Sequence, residues 1–180
     1  VRGRRHRLEH IEAISAEDIP RFARLGVIAS MQPFHASPNQ NILEVWAGNL
    51  GPERAARAWS WKSIRDAGGR IAFGTDWPVV ELDPRPGLHT ALTRTTAAGL
   101  PVGGFVPGQR LALHEVLEAY TSDAAYAAFD EGRMGTLGKG QLADIVIWST
   151  DLFALPVDQV KDAEIRMTLF DGKVVFSSEP

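Results

Sequence analysis

This chain contains no cysteine, so its chemistry falls to five histidines and a few well-placed carboxylates. Disulfides, thiolate metal sites and a cysteine nucleophile are excluded, and any metal must be held by imidazole and carboxylate. His10 and Asp76 are the sharpest candidates. His10 closes the alternating run Arg5-His6-Arg7-Leu8-Glu9-His10, and Asp76 closes the apolar run Ile71-Ala72-Phe73-Gly74-Thr75-Asp76. Neutral imidazole is the commonest protein metal ligand, and a strand end fixes its position. The alternative for His10 is a hydrogen-bonded structural histidine. A carboxylate at Asp76 can coordinate a metal and also take a proton from water whose pKa the metal has lowered. A helix cap or an ion pair is its alternative.

Other side chains are weighed in the same way. Gln32 follows a buried apolar run, and His35 follows Gln32-Pro33-Phe34. Both are candidate substrate contacts, although His35 could equally face solvent. Trp77, beside Asp76, is the expected pocket wall. Trp46 could also line a pocket, whereas Trp59 and Trp61 sit in a helical stretch and are expected to pack. His6 shares a strand face with His10 and is assigned packing or a hydrogen bond beneath the site. His89 and His114 fall on helices away from the expected mouth and receive no role. Tyr120-Thr121-Ser122 offers hydroxyls without a Ser-His-Asp order or a nucleophile elbow. Gly103-Gly104 and Gly138-Lys139-Gly140 lack the strand-before, helix-after setting of a phosphate cradle.

The elements that must position these groups alternate. A strand over 5–10 leads to an amphipathic helix carrying Ile19, Phe22, Ala23 and Leu25, which stops at Gly26, with Ser15 and Asp18 resembling a capping box. Val27 to Met31 reads as a buried strand. Residues 33–51 form a long loop without periodicity, of the kind that is usually functional or disordered. A helix then runs from Pro52 through Ile64, a third strand covers 71–76, and another helix covers 88–98. Strand-helix repeats of this kind make parallel βα units, whose chemistry collects at the C-terminal strand ends. A linker over 100–109 precedes a long helix over 113–129. Strands follow at 143–148, 165–170 and 173–176, the last two joined by a hairpin at Asp171-Gly172. The expected fold class is therefore α/β, with a βα part over 1–108, a connecting helix over 109–130 and a small β unit over 131–180.

The net charge of −3 and a pI near 6.0 give no electrostatic reason to expect nucleic acid or a membrane as partner. The opening Val1-Arg2-Gly3-Arg4-Arg5-His6-Arg7 is read as a solvated strand flank. No apolar run approaches the roughly 18 residues that span a bilayer. The opening residues offer no apolar leader core, so the cytoplasm is the expected location. The absence of an initiator Met suggests a piece of a longer protein.

Taken in order, four motifs resemble the amidohydrolase superfamily, and within it the amidohydrolase-3 group that includes N-substituted formamide deformylase-like enzymes. They are His6-Arg7-Leu8-Glu9-His10; Gly26 to Pro33; Gly74-Thr75-Asp76-Trp77-Pro78-Val79; and Gly135-Thr136-Leu137 through Gly140 to Val146. The resemblance covers essentially the whole chain. It implies the C-terminal part of a metal-bearing (β/α)8 barrel, strands six to eight, followed by a portion of a β-sandwich in which Asp144 is structural. His10 matches the ligand ending the sixth strand; Asp76 matches the ligand and general base ending the eighth. The implied cofactor is a divalent metal, with zinc expected, and the partner is a small-molecule substrate. The family's His-x-His pair, bridging carboxylate or modified lysine and fifth-strand histidine have no counterpart here and are expected upstream of Val1. With only two ligands, metal binding by the chain alone is expected to be weak or absent. Open sheet edges offer a route to homo-oligomers. Two readings follow: a piece of a hydrolase that cleaves a non-peptide C–N bond with metal-activated water, or a non-catalytic remnant or regulatory interaction module.

Overall fold

Strand polarity divides the protein into two three-stranded sheets, and the computed structural model describes residues 3–179 of it. Val1 and Arg2 of the opening arginine cluster lie outside the described residues. The first sheet is parallel and orders β1 (Arg7–Glu9), β2 (Ile28–Met31) and β3 (Arg70–Phe73) side by side. Register places Leu8 beside Ala29, Ala29 beside Ile71, and Met31 beside Phe73. Residues paired across a parallel sheet share a face, so these five point one way while Ile28, Ser30 and Ala72 point the other. Ala29, Met31, Ile71 and Phe73 build the main core with Phe22, Trp61, Ile64, Leu88, Val116 and Ala119. Ile28 and Ala72 pack instead with Ala127 and Tyr126.

Between the strands, α1 (Ile19–Leu25) carries Pro20 in its first turn, where the missing N–H is harmless, and ends at left-handed Gly26. The anticipated Ser15 cap is not made, because Ala16–Asp18 form a 3-10 turn before the helix starts. The stretch read as an aperiodic loop is also largely helical: a 3-10 turn over Pro33–Ala36, a π-helical stretch over Asn41–Trp46, and α2 (Ala47–Leu50). A π-helix bonds i to i+5, so it lacks the apolar spacing of an α-helix and escapes a period-based reading.

Two expected helices are broken, and both breaks matter. The one starting at Pro52 divides into α3 (Pro52–Ala55) and α4 (Trp61–Asp66), with Trp59 between them in a left-handed conformation and only 1% exposed. The helix expected over 88–98 is shifted to α5 (Arg85–Thr93). The long helix over 113–129 breaks at Thr121 into α6 (Leu113–Tyr120) and α7 (Ser122–Ala128). That break lets α6 cover one face of the sheet through Val116 and Ala119, while α7 covers the other through Ala127. Among the described residues no helix is long and apolar enough to cross a membrane.

The second sheet is antiparallel: β4 (Ile145–Trp148), β5 (Ile165–Phe170) and β6 (Lys173–Ser177). Asp171 and Gly172 both have positive φ, as a two-residue hairpin of this twist demands. Asp144 Oδ1 accepts the Asp171 N–H at 2.8 Å, a structural use of that carboxylate.

Arg94 ties the end of α5 to its neighbours. Its side chain is fully buried, and among the described residues no carboxylate pairs with it. Nε donates to the Phe105 carbonyl at 2.8 Å, Nη2 donates to that of Ala58 at 3.1 Å, and the guanidinium lies 4.6 Å from the Trp61 ring centre. Burial lowers its pKa, so carbonyl dipoles and a ring face carry the charge. At the strand starts, Arg5 stacks 3.6 Å from the Tyr126 ring centre and pairs with Glu131.

Arg94→Ala leaves two buried carbonyls unpaired and is expected to cost about 3 kcal/mol. Urea unfolding should show a lowered midpoint and an unchanged slope. The side-chain bonds from Arg5 hold Glu131 down to about 2, below its ordinary 4.5. This pair therefore stabilises the fold above pH 4.5 and loses that contribution as pH falls through about 2. A carboxyl NMR titration checks the low midpoint, and Glu131→Gln should flatten the acid limb of stability.

Candidate metal centre

The parallel sheet delivers three chemistry-bearing segments to one end. β1 stops at Glu9, and the next residue, His10, donates its N–H to the Ser30 carbonyl at 2.9 Å. Strict strand alternation would put His10 on the face of Leu8 and Met31, beneath the helices. His10 has φ 67° and Ile11 φ 52°, so the alternation ends there. The ring meets Gln32 instead, one residue beyond Met31 and on the other face. His10 Nδ1 lies 2.9 Å from Gln32 Oε1. An amide oxygen only accepts, so Nδ1 carries the proton and Nε2 keeps a free lone pair. Gln32 is buried, whereas the His10 side chain it bonds is half exposed. A residue expected to touch substrate thus bonds the His10 ring instead.

Asp76 arrives from β3. Gly74 extends the ladder by donating to the Met31 carbonyl at 3.2 Å, and Asp76 then takes φ 65°. It caps no helix, since α5 begins only at Arg85. Its main-chain carbonyl accepts the Val79 N–H at 2.8 Å, and its side chain is 34% exposed. Asp76 Oδ2 lies 4.0 Å from His10 Nδ1, so the two leading candidates converge.

His35 completes the group. The 3-10 turn after Pro33 folds it inward, leaving the side chain 13% exposed rather than facing solvent. Its ring stacks on His10 with centres 5.8 Å apart and planes at 19°. His35 Nε2 is 3.8 Å from Asp76 Oδ2 and, among the described residues, has no hydrogen-bond partner. Burial lowers the His35 pKa, outweighing the opposite pull of Asp76, and His10 adds to the lowering. One ligand atom from each of His10, His35 and Asp76 lies within 4.8 Å of the others. Two imidazoles and a carboxylate suit zinc and related divalent ions. The orphaned Nε2 is an atom that such an ion would satisfy, so the residues fit a metal.

The remaining candidates separate. Trp77 stands beside the cluster with 64% of its surface exposed. His6 is exposed rather than packed beneath the site, and His114 is exposed on α6. His89 is buried, its Nε2 3.0 Å from the Thr96 carbonyl, and closes the chain after α5. Trp59 and Trp61 are buried in the core as expected, and Trp46 stacks 4.6 Å from Trp59. Glu12 was overlooked in the sequence. Its Oε2 accepts the Trp46 indole N–H at 2.8 Å and its carbonyl accepts the Trp59 N–H at 2.9 Å, tying the His10 loop to the π-helical stretch and the α3–α4 turn. Nothing in the residue pattern marked it. For His35, the signal was a third ligand-type residue just past a strand end.

Parallel βα units with histidine and aspartate at the strand ends define an α/β protein with a candidate metal centre. Residues 1–176 match the Amidohydrolase family, and the chain belongs to it. It is 34% identical over 179 residues to Long After Far-Red 3 of Arabidopsis thaliana, covering 97% of this chain and 29% of that one. It is 25% identical to N-substituted formamide deformylase of Arthrobacter pascens over 166 residues, 92% of this chain and 30% of that one. Its fold superposes on an uncharacterized metal-dependent hydrolase from Pyrococcus furiosus with a TM-score of 0.58 and 27% identity, covering 75% of this chain and 26% of the other. The chain spans about a third of the length of the curated relatives it matches.

Long-range proton–nitrogen correlation at alkaline pH is expected to show His10 protonated at Nδ1. Gln32→Leu should abolish that preference; an unchanged tautomer would mean that Gln32 does not orient the ring.

Proposed function

We propose that this chain supplies strands six to eight of a (β/α)8 barrel and part of a β-sandwich to a longer metal-dependent amidohydrolase that hydrolyses a non-peptide C–N bond, amide or formamide-like. The boundaries proposed are a partial barrel over 1–108, a connecting helix over 109–130 and the sandwich portion over 131–180. The observation that carries the reading is the approach of Asp76 Oδ2 to within 4.0 Å of His10, from two strands separated by β2. Membership of the family and the likeness to a metal-dependent hydrolase support it.

His10 and Asp76 would hold the metal. A bound divalent ion, zinc in this proposal, supplies a water of lowered pKa and polarises the substrate carbonyl. Gln32 keeps the His10 lone pair available. Asp76 takes the proton from the attacking water and returns it to the leaving nitrogen, so the oxygen ends on the acyl carbon and the C–N bond breaks to a carboxylic acid and an amine. Trp77, whose ring is free beside Asp76, is the proposed substrate wall. The likeness to the N-substituted formamide deformylase of Arthrobacter pascens supports this substrate class.

In the complete protein, Asp76→Asn is expected to lower amine release from N-substituted formamides and simple amides by about 10²–10⁴-fold, with the thermal midpoint unchanged. A non-catalytic scaffold, the competing reading, predicts that neither protein releases amine from any member of that panel.

A further inference from the structure

We propose that His35 is a third metal ligand, so that this chain completes a two-histidine, one-carboxylate site for a single divalent cation from its own residues. The inference rests on the metal reading of His10 and Asp76 and adds to it. Two ligands rarely hold zinc, whereas catalytic zinc takes three protein ligands and keeps one position open. The same donor set also suits other first-row divalent ions.

Three observations support the assignment. Buried polar atoms are almost always paired, yet His35 Nε2 has no partner among the described residues. Its distance to Asp76 Oδ2 is 3.8 Å, too long for a hydrogen bond. Donors on one tetrahedral ion, at bonds of about 2.0–2.2 Å, stand about 3.3–3.6 Å apart. Ligand atoms within 4.8 Å of one another therefore need to draw in by at most about 1.5 Å, within the reach of side-chain rotation, to bind one ion. The spacing is too wide for a hydrogen-bonded cluster and slightly wider than an ion's ligand shell.

The local chain also holds His35 there. The His35 N–H donates to the Gln32 carbonyl at 3.0 Å, and Pro33 and Ala36 of the same turn are buried. One rigid turn thus presents both the residue that orients His10 and the residue that would share its ion. A histidine making its own contact to substrate would have no need to aim Nε2 at Asp76.

The test is calorimetric titration of the 180-residue chain with zinc and cobalt(II), with visible absorption of the cobalt form as a second readout. The expected result is one ion per chain, with affinity at least about 100-fold lower in His35→Ala than in the wild type and its cobalt bands altered. His35→Gln keeps the packing if the alanine variant fails to fold, and should weaken binding likewise. His114→Ala, on exposed α6, should bind as the wild type does. If His35→Gln binds normally while His10→Ala and Asp76→Ala do not, His35 is no ligand and the two-residue reading survives. If the wild-type chain takes up no metal, the self-sufficient site is wrong, and metal analysis of the complete protein decides the underlying reading separately.

Discussion

The site depends on a reversal of backbone handedness at two strand ends. His10 and Asp76 both occupy the left-handed region that ordinary residues avoid, and β-branched Ile11 joins them. Each such residue costs on the order of 1–3 kcal/mol and persists only where its surroundings over-determine it. The surroundings here do so: the Ser30 carbonyl takes the His10 N–H, Gln32 takes the ring N–H, and Val79 donates to the Asp76 carbonyl. Without the turn at His10, alternation would send its imidazole under the helices with Met31. The left-handed step frees it to meet groups from β2 and β3.

The rest of the scaffold serves to hold those strand ends still. Breaks at Trp59 and Thr121 convert two long helices into four short ones, which lets aromatic and small residues cover both faces of a narrow sheet. Glu12 links the His10 loop to Trp46 and Trp59, so the site loop is anchored in the same packed wall. Arg94, buried among carbonyls and rings, ties α5 to the segment around Ala58. By contrast, Leu8 is 55% exposed, and among the described residues both sheets leave strand edges unpaired.

Much of this was legible in the residues. The three parallel strands, their order along the chain and the Asp171-Gly172 hairpin follow from apolar runs and turn chemistry, because buried strands and left-handed turns tolerate few residue types. His10 and Asp76 were found at strand ends for the same reason. Helix continuity was not legible: Trp59 and Thr121 fit an α-helical pattern, and only tertiary packing breaks it. The inward turn of His35 and the bond between Gln32 and His10 were not legible for a related reason. Proline after Gln32 announces a turn, but whether the turn aims the next histidine inward is decided by α5 and the neighbouring strands. Glu12 carries no local pattern, since its value lies in partners 34 and 47 residues away, the first bonded through its carboxylate and the second through its carbonyl.

We propose that these strand ends share one metal ion. Anomalous diffraction at the zinc absorption edge, from crystals grown with zinc, tests it most directly. One strong peak within about 2.0–2.2 Å of a His10 ring nitrogen, His35 Nε2 and an Asp76 carboxylate oxygen is the predicted result. Anomalous density confined to surface carboxylates, with these three side chains left as they are, would contradict it.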